Sequence, residues 1–238
     1  MKYIYLFFKR IFDIVSTFVV IILLIPIWII IPIIIKCDSK GPVFFVQERR
    51  GKKGKVFKML KFRTMVVGAE QMGVGLFNYK GDVRVTKFGK FLRKTSIDEL
   101  PQLFNIFIGQ MSVVGPRPCV KNELGDFDTL NKKYKKRFQM RPGLTGLAQV
   151  KGRNNITWDK KVEFDNMYID RFKKTGVFLD IKILFLSVIK VFKKENIYEE
   201  EVSGASNSEE SARLAEEEII RKAHLPDEEE NINEQKYS

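Results

Sequence analysis

The sequence predicts an α+β domain attached to an N-terminal apolar helical segment. Three features predict it: a 25-residue apolar run, Ile11 to Ile35; strand-like segments bounded by glycine turns after it; and later stretches with apolar residues at helical spacing.

The apolar run is interrupted only by Asp13, Ser16, Thr17, Pro26 and Pro32, and no small-residue cleavage site follows it, so a removable leader is not expected. As one straight helix it would be about 38 Å long, enough for a ~30 Å hydrocarbon layer. Broken at Pro26, each arm would reach only about 15–22 Å. Lys2, Lys9 and Arg10 precede the run, and Lys36, Lys40, Arg49 and Arg50 follow it. The preference for basic flanks on the cytoplasmic side suits a re-entrant helix–break–helix, in which both flanks stay on one side. Proline also occurs in spanning helices, so both shapes stand at this point. Asp13 is spaced to pair with Arg10, three residues before it.

Val43–Val46 and Lys55–Met65 read as a β-hairpin around Gly51-Lys52-Lys53-Gly54, a turn without Walker A spacing. Phe57, Met59, Lys61, Arg63 and Met65 share one face, with Lys61 and Arg63 about 7 Å apart. That spacing suits a diphosphate, and it equally describes a solvated face. Residues 66–81 contain four glycines and no clear period, as expected of a functional loop. Arg84 lies two residues from Asp82, where an exposed ion pair would contribute little.

Lys94 to Pro118 organises the middle of the chain. Leu100, Leu103, Phe104, Phe107 and Ile108 form one helical stripe, and Pro101 marks the first turn. The helix should therefore be capped near Ile97 or Asp98, with Asp98 and Glu99 at its positive end. Ser96 to Glu99 also matches a capping box, which is a purely structural role. An Asp nucleophile beside a Glu that can hold a divalent cation would instead suit phosphoryl transfer.

Residues 121–139 read as a charged helical connector. Arg141 to Asn155 reads as a glycine-containing loop whose backbone N–H groups can approach an anion, with Arg141 and Arg153 as its candidate cations. Trp158 to Phe172 reads as a helix. Asp180 to Lys194 has a broad apolar face with a lysine edge, as in a helix lying at a membrane interface.

Charge is divided unevenly. Residues 195–238 hold 14 acidic and four basic side chains, a net of −10, leaving 38 basic and 15 acidic, a net of +23, in residues 1–194. So basic a body calls for an anionic partner, either lipid headgroups or a phosphate-rich substrate. Nucleic acid is not expected, because the aromatics lie in apolar runs rather than among the cations. Two cysteines, Cys37 and Cys119, make neither a disulfide framework nor a metal pattern. The single histidine, His224, lies in the acidic tail, so histidine-based triads and zinc sites are excluded from the body.

Several of these motifs carry a resemblance. Ser96 to Gln102 with Gly109 to Pro118, Lys58 to Met65, Lys9-Arg10 with Asp13, Arg84, and Arg141 to Asn155 together resemble the bacterial sugar transferases, the monotopic phosphoglycosyl transferases that begin glycan assembly, over about Lys9 to Lys194. The resemblance implies a re-entrant membrane helix in residues 1–40 and a cytosol-facing catalytic domain in 41–194, with a β-hairpin and amphipathic interfacial helices. The acidic, mostly disordered tail of 195–238 lies outside it. It implies transfer of a sugar 1-phosphate from a UDP-sugar to polyprenyl phosphate at the bacterial cytoplasmic membrane. Asp98 would be the covalent nucleophile and Glu99 a Mg²⁺ ligand, with Lys61, Arg63, Arg84, Arg117, Arg141 and Arg153 as phosphate ligands. Downstream glycan-assembly enzymes, or a protein docking the tail, are further expected partners. A non-catalytic membrane adaptor with a basic face is the alternative expectation.

Overall fold

A computed structural model describes residues 3–72, 82–152 and 156–192 and, in the tail, residues 217, 218, 220, 221, 223 and 224. The order is α1 (Tyr3–Leu23), α2 (Ile25–Asp38), β1 (Phe44–Arg50), β2 (Val56–Phe62), α3 (Lys87–Thr95), α4 (Gln102–Phe107), β3 (Ser112–Val114) and β4 (Cys119–Val120). Then come α5 (Lys132–Lys136), β5 (Gly143–Thr145), α6 (Leu147–Lys151), α7 (Trp158–Thr175) and α8 (Val177–Phe192). This mixture of helices with two small sheets is the α+β class expected.

Among the described residues no single helix is long and apolar enough to cross a membrane, and α1 and α2 meet at a 63° bend. The break falls at Leu24, two residues before Pro26, because proline fits the first turn of α2, where its missing N–H has no helical partner. Trp28 Nε1 reaches back across the bend to donate to Ile21 O at 3.0 Å. Pro32 lies inside α2.

Along α1 the polarity is inside out. Phe7, Phe8, Val15 and Phe18 are exposed, whereas Lys9, Asp13 and Thr17 are buried. Asp13 accepts from Ser112 Oγ at 2.8 Å and from the Val113 N–H at 3.0 Å, so β3 takes the carboxylate that spacing alone assigns to Arg10. Arg10 instead donates to Ile106 O at 2.7 Å and Phe107 O at 2.8 Å, satisfying carbonyls at the end of α4.

β1 and β2 pair antiparallel, with Lys61 opposite Phe45 and Phe57 opposite Arg49, and β4 adds to the other edge of β1. Lys53 and Gly54 turn the hairpin at φ 59° and 74°. β3 and β5 run parallel. The main core gathers Phe57, Met59, Ile106, Met111, Tyr168 and Phe172 beneath α1 and α8. On α8, Phe178, Ile181, Phe185 and Val188 form an exposed apolar stripe at helical spacing, while Asp180 and Ile183 face inward.

The expected connector helix over 121–139 shrinks to α5 and one 3-10 turn, Arg137–Gln139. Gly125 at φ 72° ends any helix before it, and the Asn131 side chain caps α5 by accepting from the Tyr134 N–H at 2.9 Å. Here the tail returns. Ala223 is fully buried with Cys119, Leu124, Leu130, Tyr134, Phe138 and Val162, and its carbonyl accepts from the Asn131 N–H at 3.0 Å. His224 Nε2 lies 3.0 Å from Leu124 O. Cys119 is buried, and burial pushes its thiol up to about 11, whereas Cys37 is exposed on α2. Most of the tail, the loop positions 73–81, and Lys193 and Lys194 of the predicted lysine edge lie outside the described residues.

Candidate active site

Ser96 ends α3 in the left-handed conformation, φ 57°, and turns the chain into a 3-10 turn, Ile97–Glu99. Neither Ser96 nor Pro101 makes a side-chain cap, and α4 starts only at Gln102. The capping box and the N-cap expected near Ile97 or Asp98 are therefore not formed. The carboxylates occupy a separate turn ahead of α4, which frees them from holding a helix end. The predicted apolar stripe also divides. Leu103 is buried, but Phe104, Phe107 and Ile108 are 36%, 39% and 65% exposed. Phe104 and Phe107 turn toward Trp28 and Phe18 of the bent pair, with ring centroids 5.1 and 6.2 Å apart.

Asp98 is buried, 9% exposed, while the Glu99 side chain is 30% exposed. Ile97 and Leu100, on either side of the pair, pack with Ile31 and Ile35 of α2, which places the carboxylates at the foot of the bent helices. Lys61 Nζ donates to Glu99 at 2.8 Å. Arg93 is held near Asp98 by donating from Nε to Thr64 Oγ1 at 2.8 Å. Burial pushes the Asp98 carboxyl up to about 6, opposed by the positive charge of Lys61 and reinforced by the negative charge of Glu99. At neutral pH Asp98 is thus an ionised but poorly solvated carboxylate, the state a nucleophile needs.

The other expected ligands are distributed unequally. Lys61 faces Glu99, but Arg63 does not join it. β2 ends at Phe62, and Arg63 donates to Ser39 O at 2.6 Å and Ser39 Oγ at 3.0 Å, tying down the end of α2. Arg63 thus anchors α2 through Nη2, while its Nε and Nη1 are buried without a hydrogen-bond partner among the described residues. Arg84 is not an exposed partner of Asp82. The pair is buried, at 2.7 Å, and Arg84 also donates to Ala69 O at 2.9 Å and Met72 O at 2.8 Å. Its guanidinium thereby holds the 69–72 segment. Arg141 donates from Nε to Gly109 O at 2.7 Å, beyond the C-terminal end of α4, beside Lys52. Arg117 sits half-buried in the Gly115–Pro118 turn. Arg153 lies outside the described residues.

Two glycine amides of these loops are committed to backbone carbonyls. Gly115 N–H donates to Thr145 O at 2.9 Å and Gly143 N–H donates to Pro116 O at 2.8 Å. A Cβ on Gly115 would lie 2.4 Å from Arg141 O, and one on Gly143 would lie 2.1 Å from Gly115 N, so the glycines serve a close crossing of two backbones.

Two cations that pattern reading left out of the ligand set belong near the pair. Arg93 is one. Arg49 is the other, since it lies within electrostatic range of both Glu99 and Arg117 and shares with Lys61 a face of the β1–β2 hairpin. The hairpin register contained that signal: residues opposite each other point to the same side.

No group of three or more metal-ligating side chains occurs among the described residues. Asp98 and Glu99 supply two carboxylates, the protein share expected when Mg²⁺ completes its shell with substrate phosphates and water. The two carboxylates would hold a Mg²⁺ that takes its other ligands from outside the protein, and among the described residues they do not make a closed cage.

Comparison with known proteins adds the following. Residues 4–194 match the family described as bacterial sugar transferase. The UDP-glucose:undecaprenyl-phosphate glucose-1-phosphate transferase of Klebsiella pneumoniae is 44% identical over 196 residues, covering 80% of this chain and 41% of the relative. The uncharacterized sugar transferase EpsL of Bacillus subtilis is 41% identical, covering 79% and 89%. The exopolysaccharide production protein ExoY of Rhizobium meliloti is 38% identical, covering 76% and 83%. This chain thus spans about two fifths of the Klebsiella relative and most of the other two.

Proposed function

The chain belongs to the bacterial sugar transferase family, and on that premise we propose that it moves a sugar 1-phosphate from a UDP-sugar to polyprenyl phosphate, releasing UMP. The observation that carries the reading is a buried carboxylate, Asp98, beside Lys61, Arg93 and Glu99 at the foot of an outward-apolar bent helix pair.

The reaction has two displacements at one phosphorus. An Asp98 oxygen attacks the sugar-linked phosphorus of the donor, and the diphosphate bond to the UMP oxygen breaks. The aspartyl phosphosugar then meets polyprenyl phosphate, whose terminal oxygen bonds to the same phosphorus and releases Asp98. Glu99, with Asp98, would hold Mg²⁺, which when bound offsets charge on the diphosphate. Lys61 holds Glu99 in place, Arg93 adds positive charge beside Asp98, and Arg117, within electrostatic range of Arg49, is the proposed ligand for the donor's phosphates.

The membrane relation follows from the surface. The exposed apolar faces of α1, α2 and α8 with Phe107 and Ile108 are far more apolar than a water-facing surface requires. We read them as lipid-embedded, with α1–α2 entering and leaving one leaflet of the bacterial cytoplasmic membrane. Asp98 then lies at headgroup height on the cytoplasmic side, where a polyprenyl phosphate presents its phosphate. A non-catalytic adaptor with a basic face would bind anionic lipid without releasing UMP, so UMP release separates the two readings.

The reading is tested by incubating the full-length protein in nanodiscs with Mg²⁺, undecaprenyl phosphate and each of a panel of UDP-sugars. UMP release with at least one donor, abolished in Asp98→Asn, is expected. Absence of UMP with every donor, from folded protein, contradicts it.

A further inference from the structure

The turn that carries Arg117 is Gly115-Pro116-Arg117-Pro118, and its two prolines have no N–H to donate. Such a turn is fixed mainly through its carbonyl oxygens. Three successive ones are held, each from a different part of the chain. Pro116 O accepts from the Gly143 N–H at 2.8 Å, Arg117 O from Arg137 Nη2 at 2.5 Å, and Pro118 O from Arg49 Nη1 at 3.0 Å.

Arg137 is buried and Arg49 half-buried, and both are held by further partners. Arg137 is 2% exposed, lies 2.8 Å from the Asp165 carboxylate and stacks 4.8 Å from the centre of the Trp158 ring. Arg49 also donates to Gln47, which in turn donates to Glu70 at 2.8 Å. Arg49 Nε and Arg137 Nη1 are buried without a hydrogen-bond partner among the described residues. Each arginine thus gives one charge-assisted donor to a carbonyl of this turn while another of its nitrogens stays buried without a partner, a costlier way to hold a turn than a neutral donor. Arg117 lies within electrostatic range of Arg49, whose pKa is lowered first by burial, then raised by Glu123 and lowered by Arg117, so the clamp and the aimed cation sit side by side.

We propose that Arg49 and Arg137 are positioning residues that act through the carbonyls of residues 117 and 118 to aim the Arg117 guanidinium at the donor's diphosphate. The proposal rests on the reading of Arg117 as a phosphate ligand. Asp165 keeps Arg137 in place and is part of the same device.

A double-mutant cycle on kcat/KM for the donor tests it, using the full-length protein in nanodiscs and the UDP-sugar that supports UMP release. Arg49→Gln is expected to lower kcat/KM by about 10-fold and Arg117→Ala by about 100-fold, with the double variant no worse than about 100-fold, because a clamp has nothing to aim once Arg117 is gone. Arg49→Lys, which retains a donor for Pro118 O, should recover most of the loss. If Arg117→Ala leaves too little rate to measure, Arg117→Lys takes its place in the cycle. Multiplying losses, near 1,000-fold in the double variant, would overturn the proposal by showing that Arg49 acts independently of Arg117. Equal loss in Arg49→Lys and Arg49→Gln would overturn it as well. Near-normal kcat/KM in Arg117→Ala would remove the phosphate-ligand premise, whereas absence of UMP release by the unaltered protein would remove the function itself, so the failures are distinct.

Discussion

Lys9 Nζ lies 2.5 Å from the Asp180 carboxylate, joining the first helix to the last across 171 positions of sequence. Both side chains are almost fully buried, and the remaining bonds are made: Lys9 to Val114 O at 2.7 Å, and Tyr168 Oη to Asp180 at 2.7 Å. Removing one partner leaves the other charge stranded. Lys9→Met or Asp180→Asn should each destabilise the protein by roughly 3–5 kcal/mol, and Lys9→Met with Asp180→Leu should recover much of it. Thermal melting in detergent measures all three.

The bend at Leu24 depends on Pro26 and on Trp28 satisfying Ile21 O. Pro26→Leu should allow a continuous helix long enough to span. Cysteines placed at Tyr3 and Lys40 should be labelled from the same side in the parent and, in a fraction of Pro26→Leu molecules, from opposite sides. Opposite-side labelling in the parent would contradict re-entry.

Burial outweighs the neighbouring cations at Asp98, so its carboxyl titrates near 6 rather than in the usual carboxylate range. The folded state then holds a proton between about pH 4 and 6 that the unfolded chain releases, and stability falls as pH rises through that window, by up to about 3 kcal/mol. Asp98→Asn should therefore raise the melting temperature at pH 7.5, flatten this part of the pH–stability curve and abolish turnover. In the parent, turnover should fall about tenfold per pH unit below pH 6.

Much of the fold was legible in the sequence. The hairpin, α7 and α8 follow from period, proline and glycine, whereas for the N-terminal apolar run the residues leave a bent and a straight shape both open, and the structure shows the bend. What escaped is long-range. Asp13 has Arg10 three residues away, yet it bonds to β3, 99 residues distant. The basic residues of one motif, Lys61 and Arg63, part company because β2 ends between them. Arg84 looks like a surface cation until the 69–72 carbonyls close around it. The Asp98–Glu99 pair stands out in the sequence, but its electrostatics do not: proximity to a helix N-terminus predicts a low pKa, whereas packing of Ile97 and Leu100 against α2 supplies the burial that raises it.

The tail also differs from a purely solvated segment where it meets α5. Gly125 at φ 72° fits closely under Ile220 and His224. Ala223→Glu should undock this segment, lower the melting temperature by a few degrees and speed amide exchange at Asn131, whose N–H is bonded to Ala223 O. Unchanged Asn131 exchange would show that the contact contributes nothing in solution.

The central claim is that Asp98 is a covalent nucleophile, and intact-mass measurement tests it most directly. Full-length protein in nanodiscs free of polyprenyl phosphate is mixed with Mg²⁺ and the active UDP-sugar, quenched in acid and weighed. The account predicts a gain of one phosphosugar, mapped by fragmentation to Asp98, absent from Asp98→Asn and discharged by added undecaprenyl phosphate. UMP release that requires polyprenyl phosphate from the first turnover, with no adduct at any time, would contradict it.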